Sequence, residues 1–300
     1  MFRITAFMTV LALASPAVAQ APAQAPTTAE LETVVVDGRR LSDTIERFVD
    51  DIIAPPVGRG PSRWDEKVCV GVANLRPDAA QIIIDQVSRI ALDAGLEPGD
   101  PGCSPNILVI ATSDGQAMAR GLVEVKRRVF LPFYAGGSRS ARALERFQAA
   151  NTPVRWWHVG VPVSNETGEI VVRLPGYEAP RFKQDGSRLT TRVRNDLRRA
   201  FVIVDLEKME GVTFQQLGDY VGMVAMAQID PEADTEAYDT VLNLFSDPRS
   251  VTGVTDWDRA YLGALYRAEL RRRMPSHQGG EVAGLMLRDI LRTTRRPAEE

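Results

Sequence analysis

The sequence predicts an α/β (α+β) fold in which a mixed sheet with flanking helices comes first and a helical part follows. Three observations indicate this. Short apolar runs alternate with helical patterns in the amino-terminal half, the chain becomes mainly helical from Thr213 onward, and the composition is that of a globular protein, 44% hydrophobic and 25% charged. We expect one mixed domain over residues 30–295 and a short tail at residues 296–300.

The amino terminus has the organisation of a secretory signal peptide. Arg3 supplies a positive charge, an apolar run extends from Ile4 to Ala14, and small residues precede a cleavage site predicted after Ala19. The apolar run is shorter than the about 20 residues that a membrane-spanning helix needs, and no later segment reaches that length. Residues 1–19 therefore predict a periplasmic or secreted protein without a transmembrane anchor, and residues 20–29, rich in Ala, Pro and Gln, predict a linker.

The cysteine count agrees with export. The chain has two cysteines, Cys69 and Cys103, and a pair in an oxidising compartment is most simply a disulfide, with two free thiols as the alternative. The formal net charge is −3 and the isoelectric point is about 5.7, so the basic surplus typical of a nucleic-acid-binding protein is absent.

The first elements follow from apolar runs and turn residues. Residues 32–38 are rich in β-branched side chains and predict a short strand, and residues 42–53 predict a helix that Pro55 ends. Residues 67–73 and 106–111 are continuous apolar runs of the kind found in buried strands.

A helix is predicted between those two runs. It begins at Pro77, where a missing N–H costs nothing, and ends at Gly95. Two strands joined by a helix are most economically parallel.

The next elements are two helices with a basic and aromatic loop between them, a β-hairpin and a further buried strand. They are predicted at residues 114–126 (helix), 127–137 (loop), 139–149 (helix), 154–163 and 169–174 (hairpin strands around a turn at 165–168) and 200–206 (strand).

The most informative segment is the helix predicted at residues 213–229. Thr213 is a candidate N-cap, and apolar residues on nearly all sides predict a central position in the fold. Gln215, Asp219 and Gly222 are spaced so that they share one face. A later helix begins at Thr255 with a capping box.

That face resembles the zinc-binding helix of the metzincin proteases, whose signature is H-E-x-x-H-x-x-G-x-x-H. The resemblance covers residues 65–273 and includes the helix that starts at Thr255. The chain also resembles uncharacterised secreted proteins of alphaproteobacteria and a family of proteobacterial lipoproteins defined by a domain of unknown function. In register, the signature positions of the ligands, the base and the glycine are occupied by Gln215, Gln216, Asp219, Gly222 and Ala225.

The resemblance implies a metzincin-like architecture without its metal. A register shifted by four residues would place Gln215 at the second histidine and Gly218 at the glycine, and neither register supplies the three protein ligands that a catalytic zinc needs. The chain has two histidines, His158 and His277, and neither lies on this helix. We therefore expect no metal, no cofactor and no peptidase activity.

The function expected from these residues is that of a non-catalytic metzincin-like pseudoenzyme. It would bind an envelope protein or peptide in a groove beside the 213–229 helix, or at the strand that borders it. One alternative is a hydrolase with an unorthodox site that uses Asp219, Glu207 or His158. Another alternative is a structural envelope protein.

The aromatic strand at residues 154–163 holds a second candidate surface. Alternation along a strand places Trp156 and His158 on one face and Trp157 on the other. Trp156 and His158 are therefore candidates for a ligand surface, and the alternative is that one face packs in the core.

Overall fold

A computed structural model describes residues 28–56, 58–131, 139–172 and 189–295, with side chains from Arg39 onward. The chain divides into two compact units, residues 1–39 and residues 40–300. In the first unit, the described part is the helical backbone from residue 28. The predicted signal peptide, the linker up to residue 27 and the tail lie outside the described residues.

The described elements alternate between helices and strands and then become helical. The helices are α1 (Thr28–Ile52), α2 (Pro77–Asp93), α3 (Gly115–Phe130), α4 (Ala141–Ala149), α5 (Phe214–Met226), α6 (Asp256–Arg267) and α7 (Pro275–Arg295). The strands are β1 (Arg63–Trp64), β2 (Val70–Ala73), β3 (Ile107–Thr112), β4 (Val154–Ser164) and β5 (Val193–Asp205). The prediction of a mixed α/β fold is confirmed.

The strands form one mixed sheet in which β5 is central. β2, β3 and β5 are parallel neighbours, and the short β1 pairs in parallel with the first half of β5. β2 and β3 are joined by α2, as the apolar runs predicted. β4 lies antiparallel along the whole of β5, with a register shift between Val159 and Gly160. β4 is therefore an edge strand of the described sheet.

Two apolar clusters cover the two faces of this sheet. The second half of α1 forms the larger cluster on one face together with α2, α5, α6 and α7, whereas α3 and α4 pack on the other. Every residue of α5 from Leu217 to Met226 is buried, so its predicted central position is confirmed. The predicted caps are also present, because Thr213 and Thr255 each form a capping box.

The strand predicted at residues 32–38 is wrong, because these residues belong to α1. A β-branched run favours a strand only where a neighbouring strand accepts its backbone hydrogen bonds, and a helix satisfies those groups within itself.

Two predicted boundaries also differ from the structure. The loop predicted from residue 127 starts later, since α3 continues to Phe130, whose ring stacks on Phe201 at 4.6 Å between centroids. The strand predicted from residue 200 begins at Val193, because β1 and β4 pair with its first residues.

In the described residues, the second hairpin strand predicted at residues 169–174 is reduced to an isolated bridge. Val163 forms a bridge with Ile170 across the predicted turn, and residues 173–188 lie outside the described part.

The predicted disulfide is confirmed. Cys69 and Cys103 are bonded, with 6.1 Å between their Cα atoms. The bond ties the start of β2 to the loop before β3. Within the described ranges, no helix has the length and apolar character required to cross a bilayer.

Candidate functional site

Three of the residues at the positions matched to the metzincin signature, Gln216, Asp219 and Ala225, have structural partners. Gln215 is exposed at the start of the helix. The Gln216 side chain accepts a hydrogen bond from the Thr213 backbone N–H and donates to the carbonyl oxygens of Pro248 and Val251, at 2.8 and 2.7 Å. Gln216 thus both caps α5 and holds the loop that precedes α6.

Asp219 is buried and fully paired. One carboxylate oxygen accepts a hydrogen bond from Arg89 Nη2 at 2.7 Å, and the other accepts from the Val254 backbone N–H at 3.2 Å. Arg89 belongs to α2, so this ion pair joins the two helices. Ala225, at the third ligand position, is completely buried, and its carbonyl accepts a hydrogen bond from Trp64 Nε1 at 2.8 Å.

The glycines of α5 allow α2 to approach closely. A Cβ placed on Gly218 would lie 2.8 Å from Gln86 Cβ, and one on Gly222 would lie 2.3 Å from Ile90 Cδ1. Gly222 lies within the helix, which continues to Met226. The face shared by Asp219 and Gly222 is therefore covered by α2. Among the described residues, no group of three or more His, Cys, Asp or Glu side chains is arranged to hold a metal ion.

The three residues considered for an unorthodox hydrolase lie in different surroundings. Asp219 faces α2, and Glu207 is exposed on a short 3-10 helix after β5. His158 is buried, with Nε2 2.7 Å from the Val224 carbonyl oxygen; a carbonyl only accepts, so the ring donates from Nε2. Burial lowers the pKa of His158 to about 4, the Val224 hydrogen bond opposes this shift, and Arg139 adds to it.

A cavity of about 400 Å³ lies beside β4, between α4 and the segment from Ile229 to Ser246. Four consecutive residues of β4, Val154 to Trp157, line it. Successive side chains of a strand point to opposite faces, so a cavity that touches all four lies at the edge of the strand. Tyr220 is the α5 residue that reaches this cavity.

The edge of β4 that faces the cavity carries backbone groups of Trp156 that no described residue pairs. The Asp205 N–H donates to the Pro153 carbonyl at 2.8 Å, so odd-numbered residues at this end of β4 exchange hydrogen bonds with β5. The N–H and C=O of Val154 and Trp156 therefore point outward. The Thr152 hydroxyl donates to the Val154 carbonyl, whereas no described residue bonds to the outward backbone of Trp156.

The two tryptophans show what lies above and below this edge. The Trp156 ring packs against Tyr220, 6.1 Å away, and its Nε1 donates to the Ile229 carbonyl. The Trp157 ring lies on the other face, 5.9 Å from Phe147 of α4, and its Nε1 donates to the Phe130 carbonyl. The cavity thus has one wall from α4 and a second wall from the segment after α5.

The two walls carry opposite charges. The α4 wall contains three arginines that line the cavity, and the acidic wall contains four carboxylates. The α4 wall carries Arg139, which precedes α4, Arg146 of α4 and Arg155 of β4. The acidic wall carries Asp230, Glu232, Asp234 and Glu236. Two ion pairs connect the walls, Arg139 with Asp230 at 3.0 Å and Arg146 with Glu232 at 2.7 Å.

Arg155 is the most deeply placed of these charges, at 2% exposure. Its Nη2 lies 3.4 Å from the Thr152 carbonyl oxygen, and a Cβ placed on Gly115, at the start of α3, would lie 2.8 Å from it. Its Nε and Nη1 have no hydrogen-bond partner among the described residues. Burial lowers the pKa of Arg155, and the carboxylates of Asp205 and Asp114 oppose that shift.

Of the residues singled out from the sequence, Trp156 lines the cavity and His158 does not. The arginines and carboxylates of the two walls had no motif to identify them, since they come from segments far apart in the chain. The chain matches no family model, no curated protein and no solved structure. The functional argument therefore depends on the geometry of the cavity.

Proposed function

We propose that this chain is a non-catalytic binding protein that takes up an extended protein or peptide segment along the free edge of β4. The observation that carries the proposal is the outward backbone of Trp156 at a cavity whose walls lie on opposite faces of the sheet. An added strand would pair with that backbone, and its side chains would enter both walls. A volume of about 400 Å³ suits a few side chains of such a segment.

Three features support a binding role over hydrolysis. The buried His158 has a pKa of about 4, so it is neutral at higher pH, and it is hydrogen-bonded to the Val224 carbonyl. Two carboxylates of the acidic wall, Asp230 and Glu232, are paired with arginines. Asp219 is paired with α2. The metzincin-like origin of α5 stays a prediction, and the proposal does not depend on it.

We further propose that the partner is a protein of the envelope or the secreted fraction. The disulfide between Cys69 and Cys103 supports this location, since such bonds persist in oxidising compartments. Residues 1–19 remain the predicted export signal.

The test is a selection of peptides from a displayed random library against the purified chain, followed by fluorescence anisotropy with the selected peptides. Ala150 lines the cavity, whereas its neighbour Ala149 is exposed and does not. Ala150→Trp should abolish binding by filling the cavity, and the matched Ala149→Trp should retain it. Methylation of peptide backbone nitrogens should weaken binding at alternate positions only, because a strand pairs through every second residue.

Two results would contradict strand addition. One is equal binding to the Ala150→Trp and Ala149→Trp variants, which would place the peptide elsewhere. The other is insensitivity to backbone methylation at every position. Mass spectrometry of the peptide after incubation separates binding from hydrolysis, and an intact peptide is expected.

A further inference from the structure

The charges around the cavity are sorted by wall. The α4 wall presents Arg146 at its rim and Arg139 deeper, with side chains that are 46% and 17% exposed. Arg155 lies at the bottom, and 2% of the whole residue is exposed. No carboxylate of the described residues lines the cavity on this wall. The acidic wall carries the opposite sign throughout, from residue 230 to residue 236.

The side chains of an extended segment at the β4 edge would contact the two walls in alternation. Side chains of a strand point alternately to the two faces of the sheet, with a period of two residues. The odd residue Trp157 contacts the α4 wall, and the even residue Trp156 contacts the segment that forms the acidic wall. In an added strand, neighbouring side chains would likewise face opposite walls.

We infer that the segment bound at this edge carries acidic and basic side chains at alternating positions. This inference rests on the proposed function and adds the chemistry of the partner. The acidic positions face Arg139, Arg146 and Arg155, and the basic positions face the carboxylates at residues 230–236. The same signs face the same walls after a shift of two residues and can do so in either strand direction, whereas a shift of one residue alone would invert them.

The two ion pairs that connect the walls fit this inference. Arg139 with Asp230 and Arg146 with Glu232 join the walls. A neutral segment entering between the walls would separate these charges without replacement. A segment of alternating charge replaces each partner with one of the same sign. Partly exposed pairs contribute little, so the exchange is nearly balanced.

Arg155 gives the pattern its deepest contact. Arg155 lines the cavity, and its Nε and Nη1 are buried donors with no hydrogen-bond partner among the described residues. A carboxylate of the bound segment would accept from them, and charge-assisted hydrogen bonds of this kind are among the stronger ones.

The test compares labelled ten-residue peptides of identical composition by fluorescence anisotropy. One contains four Glu-Lys repeats between Thr ends, which places all carboxylates on one side of a strand. The other contains two Glu-Glu-Lys-Lys repeats, which mixes both signs on each side. We expect the alternating peptide to bind at least about tenfold more tightly at low salt, and the preference to shrink as salt screens the charges.

Two substitutions on α4 form a matched pair, one at the cavity rim and one away from the cavity. Arg146 lines the cavity, whereas Arg142 is exposed on the same helix and does not. Arg146→Glu should remove most of the preference, and Arg142→Glu should leave it unchanged. The double variant Arg146→Glu with Glu232→Arg restores an ion pair but mixes the signs on both walls, so it should also lose the preference while keeping its stability.

The outcomes separate the two proposals. Equal affinity for the two charged peptides, or an unchanged preference in Arg146→Glu, overturns the charge inference and leaves strand addition standing if library-selected peptides bind. If neither charged peptide nor any library peptide binds at the β4 edge, both proposals fail. A preference lost in Arg146→Glu and kept in Arg142→Glu supports the inference.

Discussion

The contact between α2 and α5 predicts opposite effects for two glycine substitutions. A Cβ on Gly218 would lie 2.8 Å from Gln86 Cβ and 3.4 Å from Ile83 Cα. Both of those atoms are fixed to the α2 backbone, so rotation of a side chain cannot relieve the clash. Overpacking of this kind costs about 1–3 kcal/mol, and the higher helix propensity of alanine returns about 1 kcal/mol. Gly218→Ala should therefore lower the free energy of unfolding by up to about 2 kcal/mol.

Gly263 of α6 is the matched control, because a Cβ there meets nothing within 4 Å. Gly263→Ala should raise the free energy of unfolding by up to about 1 kcal/mol through helix propensity alone. Urea unfolding followed by circular dichroism measures both variants, with unchanged m-values as the check that the unfolded states are comparable. Stabilisation of Gly218→Ala to the same extent as Gly263→Ala would refute the close approach of the two helices.

Three further predictions concern stability. Burial holds the pKa of His158 at about 4, so the unfolded chain takes up its proton at a higher pH than the folded chain does. The free energy of unfolding should therefore fall by up to about 3 kcal/mol as the pH is lowered from about 6.5 to 4. His158→Phe should flatten this slope and His277→Gln should not, and an unchanged slope in His158→Phe would contradict the assignment. Replacing both Cys69 and Cys103 by Ser should lower the free energy of unfolding by roughly 2–5 kcal/mol, measured by thermal or urea unfolding. An unaltered midpoint of the unfolding transition would argue against a stabilising bond. Asp219→Ala should cost about 1–3 kcal/mol by leaving a buried N–H without its acceptor, with unchanged metal content by mass spectrometry; loss of a stoichiometric metal would instead restore a metal-site interpretation.

Features that depend on a few neighbouring residues could be predicted from the sequence. The caps at Thr213 and Thr255 involve side chains and backbone within three residues of each other. The parallel β2–α2–β3 unit followed from two apolar runs and the helical spacing between them. The buried position of α5 followed from apolar residues on all its sides, and the disulfide from a cysteine count of two.

Local pattern was insufficient where a partner decided the outcome. Residues 32–38 have the composition of a strand and form part of a helix. The first half of β5 was not predicted as strand, yet β1 and β4 pair with it, and Arg194 bonds the buried Asp196 within it. Backbone hydrogen bonds to distant segments determine such boundaries, and they leave no mark in a short window of sequence.

The interpretation of the glycines and polar residues of α5 shows the same division. Gln215, Asp219 and Gly222 share a helical face, and their spacing alone determined that. What that face meets was decided by α2, which supplies Arg89 to Asp219 and packs Ile90 against Gly222. The spacing of a motif predicts which side chains share one face of a helix. It does not predict whether that face contacts solvent or another helix.

The candidate site depends most on the tertiary structure. The sequence by itself determined that β4 is an aromatic strand with Trp156 and Trp157 on opposite faces. Only the folded chain brings Arg139 to Asp230, 91 residues away, and leaves the outward backbone of Trp156 at a cavity between two oppositely charged walls. The physical reason is that strand alternation is a local property of the backbone, whereas a cavity exists only where separate elements pack without filling the space between them.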